Sequence, residues 1–112
     1  MKPVEWLGSA RKDVQSFPNT ARAEIGYQLY RVQSGLDPSD WKPMPSVGAG
    51  VQEIRIQTLN AYRVIYVATF KDAVHVLHVF QKKTMKTRQS DIAVAQERLQ
   101  ALIRRKSHAS KK

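Results

Sequence analysis

Gly50–Thr87 reads GVQEIRIQTLNAYRVIYVATFKDAVHVLHVFQKKTMKT, and the fold turns on this stretch. It predicts three strands, at about 51–57, 62–69 and 73–81, joined by the short links Thr58-Leu59-Asn60 and Lys71-Asp72. Links this short predict an antiparallel meander. The first two strands carry arginines among apolar residues, in EIRIQ and AYRVIY. Arginine seldom stands inside a strand for reasons of fold, because an unpaired buried charge is expensive. The third strand leaves the sheet in KKTMK. Two strand arginines followed by a lysine run point to a sheet that holds a polyanion, and RNA is the polyanion expected.

Strand alternation sorts these side chains into faces. Ile54 and Ile56 share a face and go to the core, so Glu53 and Arg55 point the other way. Arg63 shares a face with Ile65 and Val67, whereas Tyr62, Val64 and Tyr66 take the opposite one. An arginine in register with Ile and Val needs a partner, either Glu53 or a phosphate. Its planar fork matches phosphate bidentately and stays charged at any working pH. His75 and His78 lie three apart, which in a regular strand places them on opposite faces, so they do not chelate one ion together. His78, on the face of Val76 and Phe80, reads as a satisfied core histidine.

Outward from this stretch, PVEWL alternates and predicts an opening strand. SARKDVQSF predicts a short helix, and Pro18 suits the first turn of a second helix running to about Ser34. Ala21, Ile25, Leu29 and Val32 form its apolar stripe, flanked by Tyr27 and Tyr30, and Gly35 is the expected C-terminal glycine. Residues 36–50, LDPSDWKPMPSVGAG, read as a loop that Trp41 pins to the core. SDIAVAQERLQALIRRK predicts a last helix capped by Ser90 or Asp91. Its apolar stripe is Ile92, Ala95, Leu99, Leu102 and Ile103. The order β-αα-βββ-α gives an α+β fold: an N-terminal strand and helical hairpin packed on an antiparallel sheet, with a C-terminal helix.

At 112 residues the chain forms one domain, expected over 1–106, with 107–112 a flexible basic tail. The net charge is +10. Residues 82–112 hold ten Lys or Arg against Asp91 and Glu97, while residues 1–81 hold nine against seven acids, so the basic excess is local. Such a field attracts phosphate. The chain contains no cysteine, which excludes disulfides and zinc–thiolate sites and fits a reducing cytosol. MKPVEWLGSARKD has no apolar core of a signal peptide, and no run approaches a membrane span. Nucleotide-loop, nucleophile-elbow and paired-acid motifs do not occur, and no metal or cofactor is expected.

GYQLYRVQSG, GVQEIRI, YRVIY and VLHVFQKKTMKT resemble the RelE/ParE superfamily of bacterial toxins, most closely its phage-derived branch with HigB-type members. The likeness covers most of the chain from Pro18 to Leu102, and LHVFQKKT after YRVIY is its most specific element. It implies a cytoplasmic, metal-independent endoribonuclease that cuts messenger RNA on the ribosome. An adjacently encoded antitoxin, commonly of helix-turn-helix type, would hold it inactive. By the same resemblance Arg55, Arg63 and Lys83 form the catalytic set, with Arg63 on the scissile phosphate. Lys82, Lys86, Arg88, Glu53 and Tyr66 form the RNA-contacting set. Two positions depart from the pattern: Glu53 stands where RelE-like enzymes often carry lysine, and Arg88 where this branch usually has proline after KKTxKT. The alternative function is a non-enzymatic one, a ParE-like gyrase inhibitor or a phage-derived accessory protein that binds nucleic acid.

Overall fold

The meander forms as alternation requires. The computed structural model describes residues 1–110 and places β3 at Val51–Gln57, β4 at Ala61–Val67 and β5 at Val74–Gln81, paired antiparallel in sequence order. Two outer strands extend it to a five-stranded sheet ordered β1-β5-β4-β3-β2. β1 is Val4–Trp6, and it pairs with β5 in parallel, Glu5 opposite His75. The sheet is therefore mixed, not antiparallel throughout. α1 (Ala10–Gln15) and α2 (Asn19–Gln33) lie between β1 and the remaining strands in sequence and pack on one face, the crossover that parallel pairing needs. β2 is Trp41–Pro43, inside the segment expected to be a loop. A three-residue edge strand ending in proline leaves almost no periodic signal, and proline is tolerated there because an edge N–H need not join the ladder.

Both faces of the sheet are covered. On one, Ile54, Ile56, Tyr62, Val64, Tyr66, Val76 and Val79 meet the α2 stripe of Ala21, Ile25, Leu29 and Val32. On the other, Val51, Ile65, Val67, Leu77 and Phe80 meet Ala95, Leu99 and Leu102 of α3, Gln89–Ser110. Ile103 of the expected stripe is exposed instead. Pro18 stands just before α2 rather than in its first turn. Gly35 adopts a left-handed φ of 84°, and the N–H groups of Gly35 and Leu36 close on the carbonyls of Val32 and Arg31. This is the Schellman ending that glycine favours, since a Cβ would be strained at that φ.

α3 starts after Arg88, whose carbonyl accepts the N–H groups of Asp91 and Ile92, so neither Ser90 nor Asp91 stands at the cap. It runs through Ser110, so residues 107–110 of the expected tail continue the helix; Lys111 and Lys112 lie outside the described residues. The helix is held to the sheet at Arg98, whose guanidinium donates to the Leu77 carbonyl at 2.9 Å and to Ser9 Oγ at 3.0 Å.

Leu77 is the bulged residue of β5. Ile65 pairs with His78 but Tyr66 pairs with Val76, so one residue of β5 has no opposite number. An extra residue in a strand turns the following side chains over relative to a regular pleat. His75, opposite Val67, and His78, opposite Ile65, consequently share the α3 face. The expectation of opposite faces fails here, and Val76 does not share the face of His78.

Candidate functional site

Direct pairing places Glu53 opposite Ile65, and Arg55 opposite Arg63, all on the α3 face as alternation predicts. Two arginines side by side repel, and directly opposed like charges destabilise a strand pair. The neighbouring acid relieves this. Glu53 is fully buried, with one carboxylate oxygen 3.7 Å from Arg63 Nε and 3.8 Å from Lys42 Nζ. Its other oxygen accepts the Thr87 hydroxyl at 3.0 Å. Glu53 thus ties together β2, β4 and the loop after β5. Arg63 also donates to the Tyr62 carbonyl at 2.9 Å. Yet Glu53 Oε1 and Arg63 Nε each lack a hydrogen bond, so the contact is Coulombic without a shared proton. Arg55 is exposed and lies 3.7 Å from Asp40.

Lys82 completes the cluster. Its ammonium is held below the usual lysine range, first by burial, then by the charge of Arg63, with Lys42 and Arg55 adding and Glu53 opposing. Four cations therefore face two acids, Glu53 and Asp40. A field of this sign, in a partly desolvated notch, attracts anions. Lys83, Lys86 and Arg88 stand exposed on the loop that leads to α3. Arg55, Arg63, Glu53 and Lys82 are thus brought together, with Lys83, Lys86 and Arg88 beside them in the chain.

Tyr66 is not brought in. It lies on the α2 face, 2% exposed, and its hydroxyl bonds Gln52 Oε1. Burial, and then the charge of Asp37, push that hydroxyl above the usual tyrosine range. Sequence reading missed two members of the site. Lys42 was hidden because β2 carries no period, and Thr87 because only the folded loop brings it to Glu53. Edge-strand proline after Trp41-Lys42 was the one available signal for Lys42.

At the far end of the same face, charges are matched. Arg105 pairs with Glu5 and Lys106 with Asp72, so these two cations staple α3 to the sheet rather than reach outward. His75 is buried beside Glu5 at 3.7 Å and edge-on to Phe70, and burial holds its imidazole below the usual range. Glu5, Asp72 and His75 each bring one possible metal-ligand atom within 4.8 Å of the others, but both carboxylates already hold a cation. His78, between the two ends, bonds Asp91 at 2.8 Å through Nε2 and stacks on Phe80, but its buried Nδ1 has no hydrogen-bond partner, so the core histidine expected to be satisfied is only half so. No helix among the described residues is long and apolar enough to cross a membrane.

Comparison with known proteins bears on the fold and the family. A chain of the toxin–antitoxin complex RelBE2 from Mycobacterium tuberculosis has the same fold, with a TM-score of 0.53 and 23% identity over 72% of this chain and 98% of that one. No curated protein matches. Residues 12–100, which include every member of the cation cluster, match the family described as Phage derived protein Gp49-like. The chain belongs to this Gp49-like family of phage-derived proteins and has the fold of a chain of the RelBE2 complex.

Proposed function

We propose that this protein is the toxin of a type II toxin–antitoxin system and cuts messenger RNA on the ribosome, in the cytoplasm, as HigB-type toxins do. The observation that carries the reading is the cluster of Lys42, Arg55, Arg63 and Lys82 around only two acids, the buried Glu53 and the exposed Asp40. Fold stability alone does not call for four cations at one sheet end.

In the reaction, the 2′-hydroxyl oxygen of a ribose attacks the adjacent phosphorus and gives up its proton. The bond from phosphorus to the 5′-oxygen breaks, and that oxygen takes up a proton. A 2′,3′-cyclic phosphate and a 5′-hydroxyl result. Negative charge grows on the phosphoryl oxygens in the transition state. Arg63 is held before substrate arrives by the Tyr62 carbonyl and Glu53, so it stabilises that charge without reorganising, and Arg55 adds its charge from the exposed side. Lys82, whose proton is loosened first by burial and then by the charge of Arg63, is the group we assign to protonate the leaving oxygen. Lys83 supports the same charge from the loop, and Lys86 and Arg88 hold flanking phosphates. The ribosome supplies the in-line geometry that so small a domain does not impose alone. An acidic antitoxin encoded beside the gene covers or distorts the cluster.

Purified protein added to a cell-free translation reaction should produce message ends inside codons, only when ribosomes are engaged. Intact messages at saturating protein, with DNA gyrase inhibited instead, would replace this reading with the non-enzymatic one.

A further inference from the structure

Beside the cation cluster lies an open groove of about 480 Å³. Three of its lining residues are lysines, Lys42, Lys82 and Lys86. Its apolar lining comes from Met44, in the layer under α3, from Ile92 of α3 itself, and from Met85 on the loop after β5. Met44 is 5% exposed, whereas Met85 is 95% exposed. Two groove residues are also partners of Glu53: Lys42 lies 3.8 Å from its carboxylate, and Thr87 donates to it. The groove therefore begins where the phosphate cluster ends.

The geometry points to a nucleobase subsite. An unpaired RNA base next to the scissile phosphate lodges against Met44 and Ile92, Met85 covers it, and Lys82 and Lys86 meet its phosphates. This rests on the reading of the cluster as a phosphate site. Three features favour a base over another occupant. Lys42, Lys82 and Lys86 line the same groove as the apolar residues, which suits a ligand apolar and anionic by turns, as a nucleotide chain is. Methionine is polarisable and adaptable, and its sulfur makes favourable contacts with aromatic rings. The groove also contains the hydroxyl of Thr87 and the amide of Gln89, which suit the hydrogen-bonding edge of a splayed base. A fully exposed methionine has no stabilising role in the free fold, and a base gives it one.

The test uses the whole chain and two short single-stranded RNA oligomers with a 2′-deoxy sugar at the cleavage position, which blocks the reaction. One carries all its bases and the other is abasic at the nucleotide beside the blocked phosphate. Binding is followed by fluorescence anisotropy at low salt. The base-bearing oligomer should bind about tenfold more tightly, in the range found for single base contacts. Met85→Ala should remove most of that difference and leave the abasic affinity unchanged. The exposed position keeps this variant folded. Gln89→Ala should change which base is preferred. Equal affinity of the two oligomers for the wild-type protein, with both weakened in Arg63→Ala, would overturn the subsite and leave the phosphate reading standing. A base dependence that survives Met85→Ala intact also overturns it. If neither oligomer binds, the phosphate reading falls, and the subsite with it.

Discussion

The two ends of the sheet face beneath α3 carry the same kinds of charged side chain in different proportions. At the Glu5 end, two cations meet two acids, and each charge has its counter-ion. At the Glu53 end, Lys42, Arg55, Arg63 and Lys82 share Glu53 and Asp40. The first arrangement is complete without a ligand. The second has unbalanced positive charge and a buried guanidinium nitrogen without a hydrogen bond, and under the proposed function an RNA phosphate supplies the missing negative charge. Burial sharpens the contrast: Glu53 is wholly inside, whereas Glu5 and Asp72 stay partly hydrated, so Coulomb forces are stronger at the Glu53 end.

Arg63→Ala tests the contrast hardest. It should lower cleavage by roughly 10²–10³-fold, the loss seen when one fixed donor to a transition-state charge is removed. Message cleavage at matched protein concentration measures it, and Arg63→Lys should recover little, because a point charge does not reproduce the fork. Wild-type cleavage by Arg63→Ala would place the chemistry elsewhere.

Glu53→Ala comes next. It leaves Arg63 and Lys42 facing each other without their counter-ion, at a cost of about 3 kcal/mol, the lower end for breaking a buried pair because Lys42 is half exposed. Urea denaturation reads this directly. The variant should bind phosphate oligomers at least as tightly as the wild type, since the anion replaces the lost carboxylate. A variant of unchanged stability would show that Glu53 does not hold the cluster together.

The matched end should respond weakly. Arg105→Ala with Lys106→Ala removes two exposed ion pairs, each worth about 0–1 kcal/mol. Cleavage at saturating ribosome should be unaltered. A loss of cleavage in a protein that unfolds at the wild-type midpoint would extend the functional surface along α3 and dissolve the contrast.

The smallest effect concerns pH. His75 faces Glu5 of β1, Asp72 of the preceding loop, and Arg105 and Lys106 of α3. Burial lowers its folded-state pKa, so above about 6.5 it is neutral folded and unfolded and contributes no pH dependence. As pH falls below that value the unfolded chain binds the proton first, and stability is lost. Thermal melts from pH 7 down to pH 5 should show this decline, shallower in His75→Gln. Identical slopes in the two proteins would remove His75 from the account.

Much of this protein was legible before folding was considered. Period-two alternation is a local property, so it placed Ile54 and Ile56 in the core and sent Glu53, Arg55 and Arg63 to the other face. Helical periodicity found the α2 stripe, and the likeness of YRVIY and LHVFQKKT found the family. Tertiary structure decided the rest, for a common reason: each missed feature joins residues distant in sequence. The parallel pairing of β1 with β5 depends on the path of α1 and α2 over the sheet. The bulge at Leu77, which puts His75 and His78 on the same α3 face, is contacted by Arg98 from another element. Arg105 and Lys106 look free in a basic run, and only the packing of α3 brings Glu5 and Asp72 to them. Glu53 is the clearest case. Its alternation is plain in EIRIQ, but its burial comes from Lys42, Arg63 and Thr87 closing around it, and the energy of a charge depends on those surroundings rather than on its place in the chain.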